Sequence, residues 1–509
     1  MIVRVKSTYV EGIEALSVCV EVDAALGLPG FSIVGLPDAA CRESQVRVRS
    51  AIKNSGLTYP SKKKIAVNLA PACVRKVGSA FDLAMAMGLL TISGEISSEA
   101  LDKITFAGEL SLNGDVRPIP GILPRAVAAA QSGDCLMIPE ANEAEASAVP
   151  GAKLCVVKNL KHAVECLLSA NLVLSKKPNA RVRTARPPIF DYAHVRGQSL
   201  AKRAIEIACA GGHNALLMGP PGSGKTLIAK CVPGILPDLE FEEALETTKI
   251  HSVAGRLAAY EGLITRPPFR DPHHSISDVA LVGGGSYPKP GEISLAHRGV
   301  LFMDELPEFR RNVLEVLRQP LEDKRIIISR AAQSIAFPAN FLMIAAMNPC
   351  PCGYRTDDRR ECICSPIQIK NYLHKISGPL LDRIDIHMEV RPVAVGDLES
   401  NATAESSTEI RKRVVAVRQL QRSRYKGTGF ALNAQLDGRD IEKHCSLTPD
   451  AREFMKSALE RLGLSARAYH KVLKIARTIA DLEKSEILER NHVSEAAQYR
   501  TLDKSYLII

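Results

Sequence analysis

Gly219-Pro220-Pro221-Gly222-Ser223-Gly224-Lys225-Thr226 is the stretch on which the reading of this chain turns. It fits G-x-x-x-x-G-K-[ST] in full. The apolar run Ala215–Met218 before it reads as a strand, and Leu227–Cys231 after it reads as the opening of a helix. The motif requires that context. Its glycines let backbone N–H groups turn inward around phosphate oxygens, and the helix start adds its dipole. Lys225 supplies a point charge for the β- and γ-phosphates, and the Thr226 hydroxyl is a candidate Mg²⁺ ligand.

A nucleotide site that hydrolyses also needs an acidic element. Val300-Leu301-Phe302-Met303-Asp304-Glu305 supplies one: four apolar residues of a buried strand, then two carboxylates at its end. Asp304 would hold the Mg²⁺ shell, and Glu305 would orient or deprotonate the attacking water. A third apolar strand, Phe341–Met347, ends in Asn348, whose amide can hold the water or γ-phosphate in line.

This order of P-loop, acidic strand and polar-ended strand resembles the AAA+ ATPases. Leu380-Leu381-Asp382-Arg383-Ile384-Asp385 looks like the arginine-finger segment of that superfamily, and Ser465-Ala466-Arg467 looks like its sensor-2 arginine. The resemblance implies ATP and Mg²⁺ as cofactors. It also implies a homo-oligomeric ring, a hexamer, in which Arg383 meets the neighbour's γ-phosphate. For either arginine the alternative is a surface salt bridge.

Two further segments narrow the branch. Arg270-Asp271-Pro272-His273-His274-Ser275-Ile276-Ser277, followed by Val282-Gly283-Gly284-Gly285, resembles the helix-2 insertion of the magnesium-chelatase and minichromosome-maintenance branch. Leu321–Pro338 looks like its hairpin before sensor 1. In DNA motors such hairpins enter the ring pore, so Lys324, Arg325 and Arg330 become candidate phosphate grips that read no sequence. The alternative is a hairpin that only packs on its surroundings. A structural or pore role suits His273 and His274 better than metal ligation. The whole chain resembles the YifB/ComM family of magnesium-chelatase-like AAA+ proteins, through Gly12–Ser44, the Val195-Arg196-Gly197-Gln198 before the P-loop, and Asn348–Gly353. The resemblance implies a hexameric, ATP-driven DNA helicase or branch-migration motor in homologous recombination during natural transformation. A magnesium-chelatase-type or chaperone-like protein remodeller is the alternative.

The resemblance sets an α/β fold class with four parts. Residues 1–170 would be a Lon-protease-like, ribosomal S5-type α/β domain. Residues 171–190 would be a basic linker, either a solvated tether or an arm brushing nucleic acid. Residues 191–395 would be the AAA+ core and 396–509 a helical lid. Short strands are expected at Ser17–Val22, Lys64–Asn68, Ile104–Ala107 and Leu136–Ile138. Helices are expected at Ser79–Leu90, Pro124–Ser132, Glu409–Arg424, Pro449–Leu462 and Ala466–Lys484. The Lon likeness rests on Gly78–Leu83 and Gly108–Gly121, with Ser79 at the serine position. The position that carries the base lysine holds Leu123, followed by Pro124 and Arg125, and arginine stays protonated. The first unit therefore reads as a scaffold without peptidase activity, and an ATP-dependent protease is disfavoured. Lys62, Lys63 and Lys64 are either a solvated turn or a DNA contact.

Cys350, Cys352, Cys362 and Cys364 form the one cysteine cluster. Four sulfurs can complete a structural Zn²⁺ site, although C-x-C spacing is less specific than C-x₂-C. Reduced thiols without metal, or redox sensing, are the alternatives. Arg355, Arg359 and Arg360 lie in the intervening loop as a basic knuckle. The other cysteines sit singly, which suits a reduced, cytoplasmic setting. The 509 residues are 46% hydrophobic and 24% charged, which excludes disordered and coiled-coil chains. No apolar run approaches the ~18 residues of a membrane span. The opening segment reads as a charged strand and lacks a secretory h-region. A net charge of +10 permits an anionic partner such as single-stranded or branched DNA. Aromatic content of 5% with no Trp argues against a broad base-stacking platform.

Overall fold

The computed structural model describes residues 2–73, 75–169, 189–257, 262–285, 287–330, 333–393, 404–462 and 465–500, without the side chains of Arg330, Gln333, Arg461 and Leu462. Residues 171–188 of the expected linker lie outside the described residues.

The first unit is built on a seven-stranded mixed sheet. Its strands are β1 (Ile2–Glu11), β2 (Glu14–Leu26), β3 (Gly30–Val34), β4 (Lys63–Ala70) and β5 (Ile104–Phe106). A small hairpin, β6 (Glu109–Leu110) and β7 (Val116–Arg117), precedes the last two sheet strands, β8 (Cys135–Pro139) and β9 (Lys153–Val157). The order is β3-β4-β2-β1-β5-β8-β9. Alternation decides the faces. Val3 and Val5 lie opposite Val22 and Val20, and all four are buried, whereas Ile2 and Arg4 point outward. The helix Asp82–Ile92 is buried on every side, because it lies between this sheet and the helix Ala39–Asn54. Gly88 allows that approach, since a Cβ there would overlap Val22.

The second unit carries a five-stranded, all-parallel sheet. Its strands are β10 (Ala215–Met218), β11 (Phe269–Arg270), β14 (Val300–Met303), β17 (Leu342–Met347) and β18 (Ile386–Glu389), ordered β11-β14-β17-β10-β18. Two short strands, β12 (Gly283–Gly284) and β13 (Lys289–Pro290), pair between β11 and β14 in sequence. The hairpin before β17 is formed by β15 (Arg325–Arg330) and β16 (Gln333–Pro338). Strands β10, β14 and β17 are buried along their whole length, as expected of parallel strands covered on both faces.

The C-terminal part is helical: Ser407–Arg424, Gly438–His444, Pro449–Leu462, Ala466–Leu482 and Arg490–Gln498. Val414, Val417, Ile475 and Ile479 share one apolar core with Ile205 and Ile207 of the helix Ser199–Gly211 and with Leu217 and Phe302 of the sheet. Within this part Arg477 is fully buried and pairs with Asp481 at 2.9 Å, while Arg424 approaches the same carboxylate. The first unit meets the second through the helices Ile122–Ser132 and Phe241–Val253. Leu245 and Leu263 pack on Ile122, Leu123 and Ala126, and the Gly121 N–H donates to the Ser252 carbonyl at 3.1 Å. Among the described residues no helix is long and apolar enough to cross a membrane.

Candidate nucleotide site and its surroundings

In an open parallel sheet the loops at the carboxyl ends of the strands form the ligand crevice. Three of them meet here. The P-loop follows β10, Asp304 follows β14 and Asn348 follows β17. Gly222 and Gly224 take left-handed φ angles of +77° and +89°, which L side chains rarely adopt. A Cβ at Gly219 would overlap the Val390 carbonyl oxygen at the end of β18. Lys225 Nζ donates to the Gly219 and Pro220 carbonyls at 2.8 and 2.9 Å and lies 3.4 Å from Asn348 Oδ1. Burial pushes this ammonium down to about 8, opposed by the charges of Asp304 and Glu305. The Thr226 hydroxyl donates to Asp304 Oδ2 at 2.8 Å. A glycine cradle, a desolvated cation and two hard oxygen donors fit a nucleoside triphosphate with Mg²⁺. Pro221 and Gly222 are exposed at the rim and Ser223 is buried beneath.

Glu305 lies beside this cluster in a left-handed conformation, φ +52°, and its N–H donates to Asp304 Oδ1 at 2.9 Å. Its carboxylate Oε2 lies 3.2 Å from His274 Nδ1. The sequence reading gave His274 a structural or pore role. The signal it missed is strand register. Phe269 and Arg270 pair with Val300 and Leu301, and the same offset carried four residues on sets His274 level with Glu305. The segment also brings Asp271 near Asp304, and burial, with that charge, pushes the Asp271 carboxyl up.

Arg383 and Arg467 stand elsewhere. They line one cavity of about 900 Å³ together with Asn214, Gly299 and Leu342, residues at the amino ends of β10, β14 and β17. The strands therefore separate these arginines from their own P-loop by roughly 13 Å or more, at ~3.3 Å per residue of a four-residue strand. The Arg383 guanidinium donates to the Pro379 carbonyl and to Glu322, and its backbone carbonyl accepts from Asn214 Nδ2 at 3.0 Å. Arg467 is exposed in the first turn of its helix. Beside them Lys471 pairs with Asp385 at 3.2 Å. Burial of Asp385 opposes its charge, yet Lys471, His213 and Lys474 hold its carboxyl well below the usual range.

Lys324 departs from the expected grip on DNA. It sits at the hairpin's base, lines the same cavity as Arg383, and donates to the Leu321 carbonyl at 2.9 Å. Burial lowers its ammonium. Arg325 is exposed, and the Arg330 side chain lies outside the described residues. One face of the hairpin, Ile326, Ile328, Ile335 and Phe337, is buried, and Ile335 lies against the Gly12 turn of the first unit.

The four cysteine sulfurs lie within 4.8 Å of one another. Cys350 Sγ is 3.4 Å from that of Cys352 and 3.6 Å from that of Cys362. A disulfide is about 2.05 Å long, whereas thiolates at ~2.3 Å from a tetrahedral zinc lie about 3.8 Å apart. The donor set therefore fits a thiolate-bound metal. The Tyr354 N–H pulls the Cys352 thiol below its ordinary value, and burial pushes that of Cys350 up. The cluster touches the phosphate loop: a Cβ at Gly353, whose φ is +88°, would lie 2.6 Å from Pro221 Cδ. Arg355, Arg359 and Arg360 are exposed, with Arg359 donating to the Val393 carbonyl at 2.7 Å and Arg360 to the Tyr354 hydroxyl at 2.9 Å.

In the first unit the Ser79 hydroxyl donates to the Glu109 carboxylate, which lies 3.8 Å from Arg117. Leu123 is buried, with its N–H on Glu145 at 3.0 Å. Arg125 is buried and donates to the Thr8 hydroxyl at 2.8 Å, and burial brings it down to about 10. Lys62 and Lys64 are exposed and Lys63 is half-buried.

Three family models match the chain. That described as magnesium chelatase, subunit ChlI, covers residues 191–398, subunit ChlI of Mg-chelatase covers 20–142, and the ChlI C-terminal model covers 404–500. The chain is 42% identical over 494 residues to the protein YifB of Escherichia coli, covering 97% of this chain and 96% of that one. It is 43% identical over 495 residues to the competence protein ComM of Haemophilus influenzae, covering 96% of each. To the magnesium-chelatase 38 kDa subunit of Rhodobacter capsulatus it is 23% identical over 189 residues, 34% of this chain and 54% of that one.

Proposed function

The chain belongs to the YifB/ComM family of magnesium-chelatase-like AAA+ proteins, and from that premise we propose that it is an ATPase whose hydrolysis drives a ring of identical subunits along DNA. The observation that carries this reading is the separation of Arg383 and Arg467 from the P-loop of their own chain. An arginine that serves hydrolysis from the far side of the sheet must serve a neighbouring chain, and a repeated head-to-tail contact of that kind forms a ring when its rotation closes.

Each residue then has a task. Gly219 to Gly224 hold the phosphates through backbone N–H groups. Lys225 neutralises their charge in a desolvated pocket, where it is worth more than in water. Thr226 and Asp304 would hold a Mg²⁺, which would supply positive charge against the charge developing on the phosphates. Glu305 accepts a proton from the attacking water, and Asn348 keeps that water in line. Arg383 and Arg467 meet the γ-phosphate bound by the adjoining subunit. The cysteine cluster holds a structural zinc that fixes the loop after Asn348 against Pro221. The first unit is a Lon-like scaffold in which Leu123 and Arg125 leave Ser79 without a base. Parts at about 1–170, 191–395 and 396–509 remain the proposed division.

DNA is favoured as substrate by the competence protein at 43% identity and by the exposed Arg325 and the separate exposed basic knuckle Arg355, Arg359 and Arg360. We read the activity more narrowly as branch migration in recombination during natural transformation, supported by that relative being named a competence protein. The shared stretch with a magnesium-chelatase subunit favours the second reading, a remodeller of a protein partner. Strand displacement on forked and three-way junctions separates them. The DNA reading expects ATP-dependent displacement, DNA-stimulated ATPase and loss of both in Lys225→Ala. An ATPase rate indifferent to DNA, with no binding at low salt, overturns it.

A further inference from the structure

We propose that Lys471 is a positioning residue that yokes Arg383 to Arg467, so that both arginines reach one phosphate group held by the adjoining subunit. This rests on the reading that the two arginines serve a neighbour's site. Lys471 Nζ donates to the Asp382 carbonyl and to the Ile384 carbonyl at 3.2 Å, and it pairs with Asp385 Oδ1 at 3.2 Å. Asp382 and Ile384 flank Arg383 in the chain, so one ammonium holds the backbone on both sides of that arginine. Lys471 itself stands about one turn after Arg467 on the helix Ala466–Leu482, on the same face.

An ammonium has three N–H donors and no acceptor. Two carbonyls and a carboxylate engage all three here, so Lys471 has none left for a ligand and can act on a phosphate only through the arginines. Burial lowers this ammonium and the charge of Asp385 opposes that, in a pair whose two side chains are mostly buried. The same backbone is tied to the core from its other side. Asn214 Nδ2 donates to the Arg383 carbonyl at 3.0 Å, and the Asn214 carbonyl accepts from the Asp385 and Ile386 N–H groups at 2.9 and 3.0 Å. Arg500 of the C-terminal part adds a bond to the Ile384 carbonyl at 2.7 Å. The seat is thus fully bonded, whereas Arg383 Nε has no hydrogen-bond partner among the described residues.

Such a tie is needed because the two arginines come from different parts of the chain, one from the end of the sheet and one from the lid. Two cations stabilise the same developing charge only at a fixed spacing. The contact of His213 with the Thr478 hydroxyl at 2.8 Å also joins the core to this helix, but about three turns beyond Arg467. The ion pair of Arg383 with Glu322 involves an exposed carboxylate and holds little. Lys471 supplies the fixed spacing beside both arginines without touching nucleotide. The plainer account is a buried ion pair that only steadies the join of core and lid.

Mixed rings separate these accounts, because a defect on the arginine side can be complemented and a defect of the fold cannot. Lys471→Met keeps the length of the side chain and removes the ammonium. It should lower kcat for ATP by about tenfold. Its affinity for a fluorescent ADP analogue, which lacks the phosphate the arginines meet, should stay parental. Mixed with Lys225→Ala, it should give a rate roughly fivefold above the mean of the two separate rates, since about a quarter of randomly formed boundaries are then complete. Mixed with Arg383→Ala, it should give only that mean, since both defects lie on the same side of a boundary. Recovery with Arg383→Ala but not with Lys225→Ala places Lys471 at its own chain's site and overturns the proposal. So do parental kcat in Lys471→Met and recovery with neither partner. Loss of affinity for the ADP analogue in step with kcat assigns Lys471 to the fold and also overturns it. If Lys471→Met alone does not fold, Lys471→Met combined with Asp385→Asn leaves no unpaired buried carboxylate and carries the same two mixtures. No recovery between Lys225→Ala and Arg383→Ala instead removes the reading beneath the proposal.

Discussion

The Thr226 hydroxyl and the Asp304 carboxylate are joined by a 2.8 Å hydrogen bond across the gap between the P-loop helix and the end of β14. Two oxygen donors, one from the helix after the P-loop and one from the end of β14, converge on one point, as a Mg²⁺ shell requires. Asp304→Asn should therefore lower kcat by roughly a hundredfold or more, while nucleotide binding measured without Mg²⁺ stays near parental. Steady-state ATPase assays with a Mg²⁺ titration check this. Parental turnover at saturating Mg²⁺ would remove Asp304 from the shell.

Lys225 predicts a pH dependence whose sign follows from its burial. Its folded value of about 8 lies below the ordinary ~10.4. Rising pH thus removes the ammonium from the ligand-free site first, and the fold itself gains stability between those two values. Nucleotide binding, which uses the charge, should weaken above about pH 8 by up to tenfold per pH unit. Lys225→Arg stays charged and should flatten the profile, at whatever affinity it retains. Fluorescence titration of an ADP analogue from pH 7 to 9.5 measures both.

Much of this is legible in the sequence. The P-loop, the acidic strand and the polar-ended strand announce themselves because β10, β14 and β17 are continuous apolar runs ending in chemistry-bearing residues. The helices at Pro449–Leu462 and Ala466–Leu482 follow their period. Contacts between segments distant in sequence were not legible. Lys324 reads as part of a basic row, but a left-handed φ of +56° at the hairpin's base turns it toward the Arg383 cavity. His274 reads as one of two histidines in a loop until the pairing of β11 with β14 sets it against Glu305. The helix expected from Ser79 begins at Asp82, whose buried carboxylate is claimed by Arg47 at 2.7 Å and by Ser44. Short β11 carries no periodic signal at all.

The cysteine cluster makes a prediction about metal and about nucleotide together. Protein purified without chelator should carry one zinc per chain by elemental analysis. Cys362→Ser should lose it, with a lower Tm and weaker nucleotide binding, because the loop it orders rests on Pro221. Gly353→Ala probes that contact while keeping all four ligands. Its left-handed φ and its proximity to Pro221 should cost roughly 1–3 kcal/mol, read as a fall in Tm and in nucleotide affinity at unchanged zinc content. Zinc well below one per chain would count against the clip.

Acid should remove the stability that the buried Asp385 gives the fold. Asp385 is held well below the ordinary carboxylate value, although its burial opposes this, by Lys471 at 3.2 Å, by His213 at 3.6 Å and by Lys474. A depressed folded value means that its contribution is complete above the unfolded value of ~3.9 and is lost as pH falls below it. Asp385→Asn should lower Tm at pH 7, and the difference from the parent should shrink below about pH 4. Equal melting curves at both pH values would show that the pair contributes nothing.

The shared-site reading has a test that no account within a single chain can pass. Lys225→Ala removes the phosphate grip, and Arg383→Ala removes the group on the opposite end of the sheet. Each ring made of one variant alone should be inactive. In a mixed ring, a boundary where an Arg383→Ala chain supplies the P-loop and a Lys225→Ala chain supplies the arginine is complete, because the two defects fall on different partners. The opposite boundary carries both defects. Mixing the two inactive proteins should therefore restore ATPase, to roughly a quarter of the sites if the chains assemble at random and each site uses one pair. Arg467→Ala should complement Lys225→Ala in the same way, since Arg467 lines the same cavity, and should fail to complement Arg383→Ala at any boundary where both arginines come from one chain. If Arg383 acted on its own P-loop, every chain in the mixture would be defective and no activity would return.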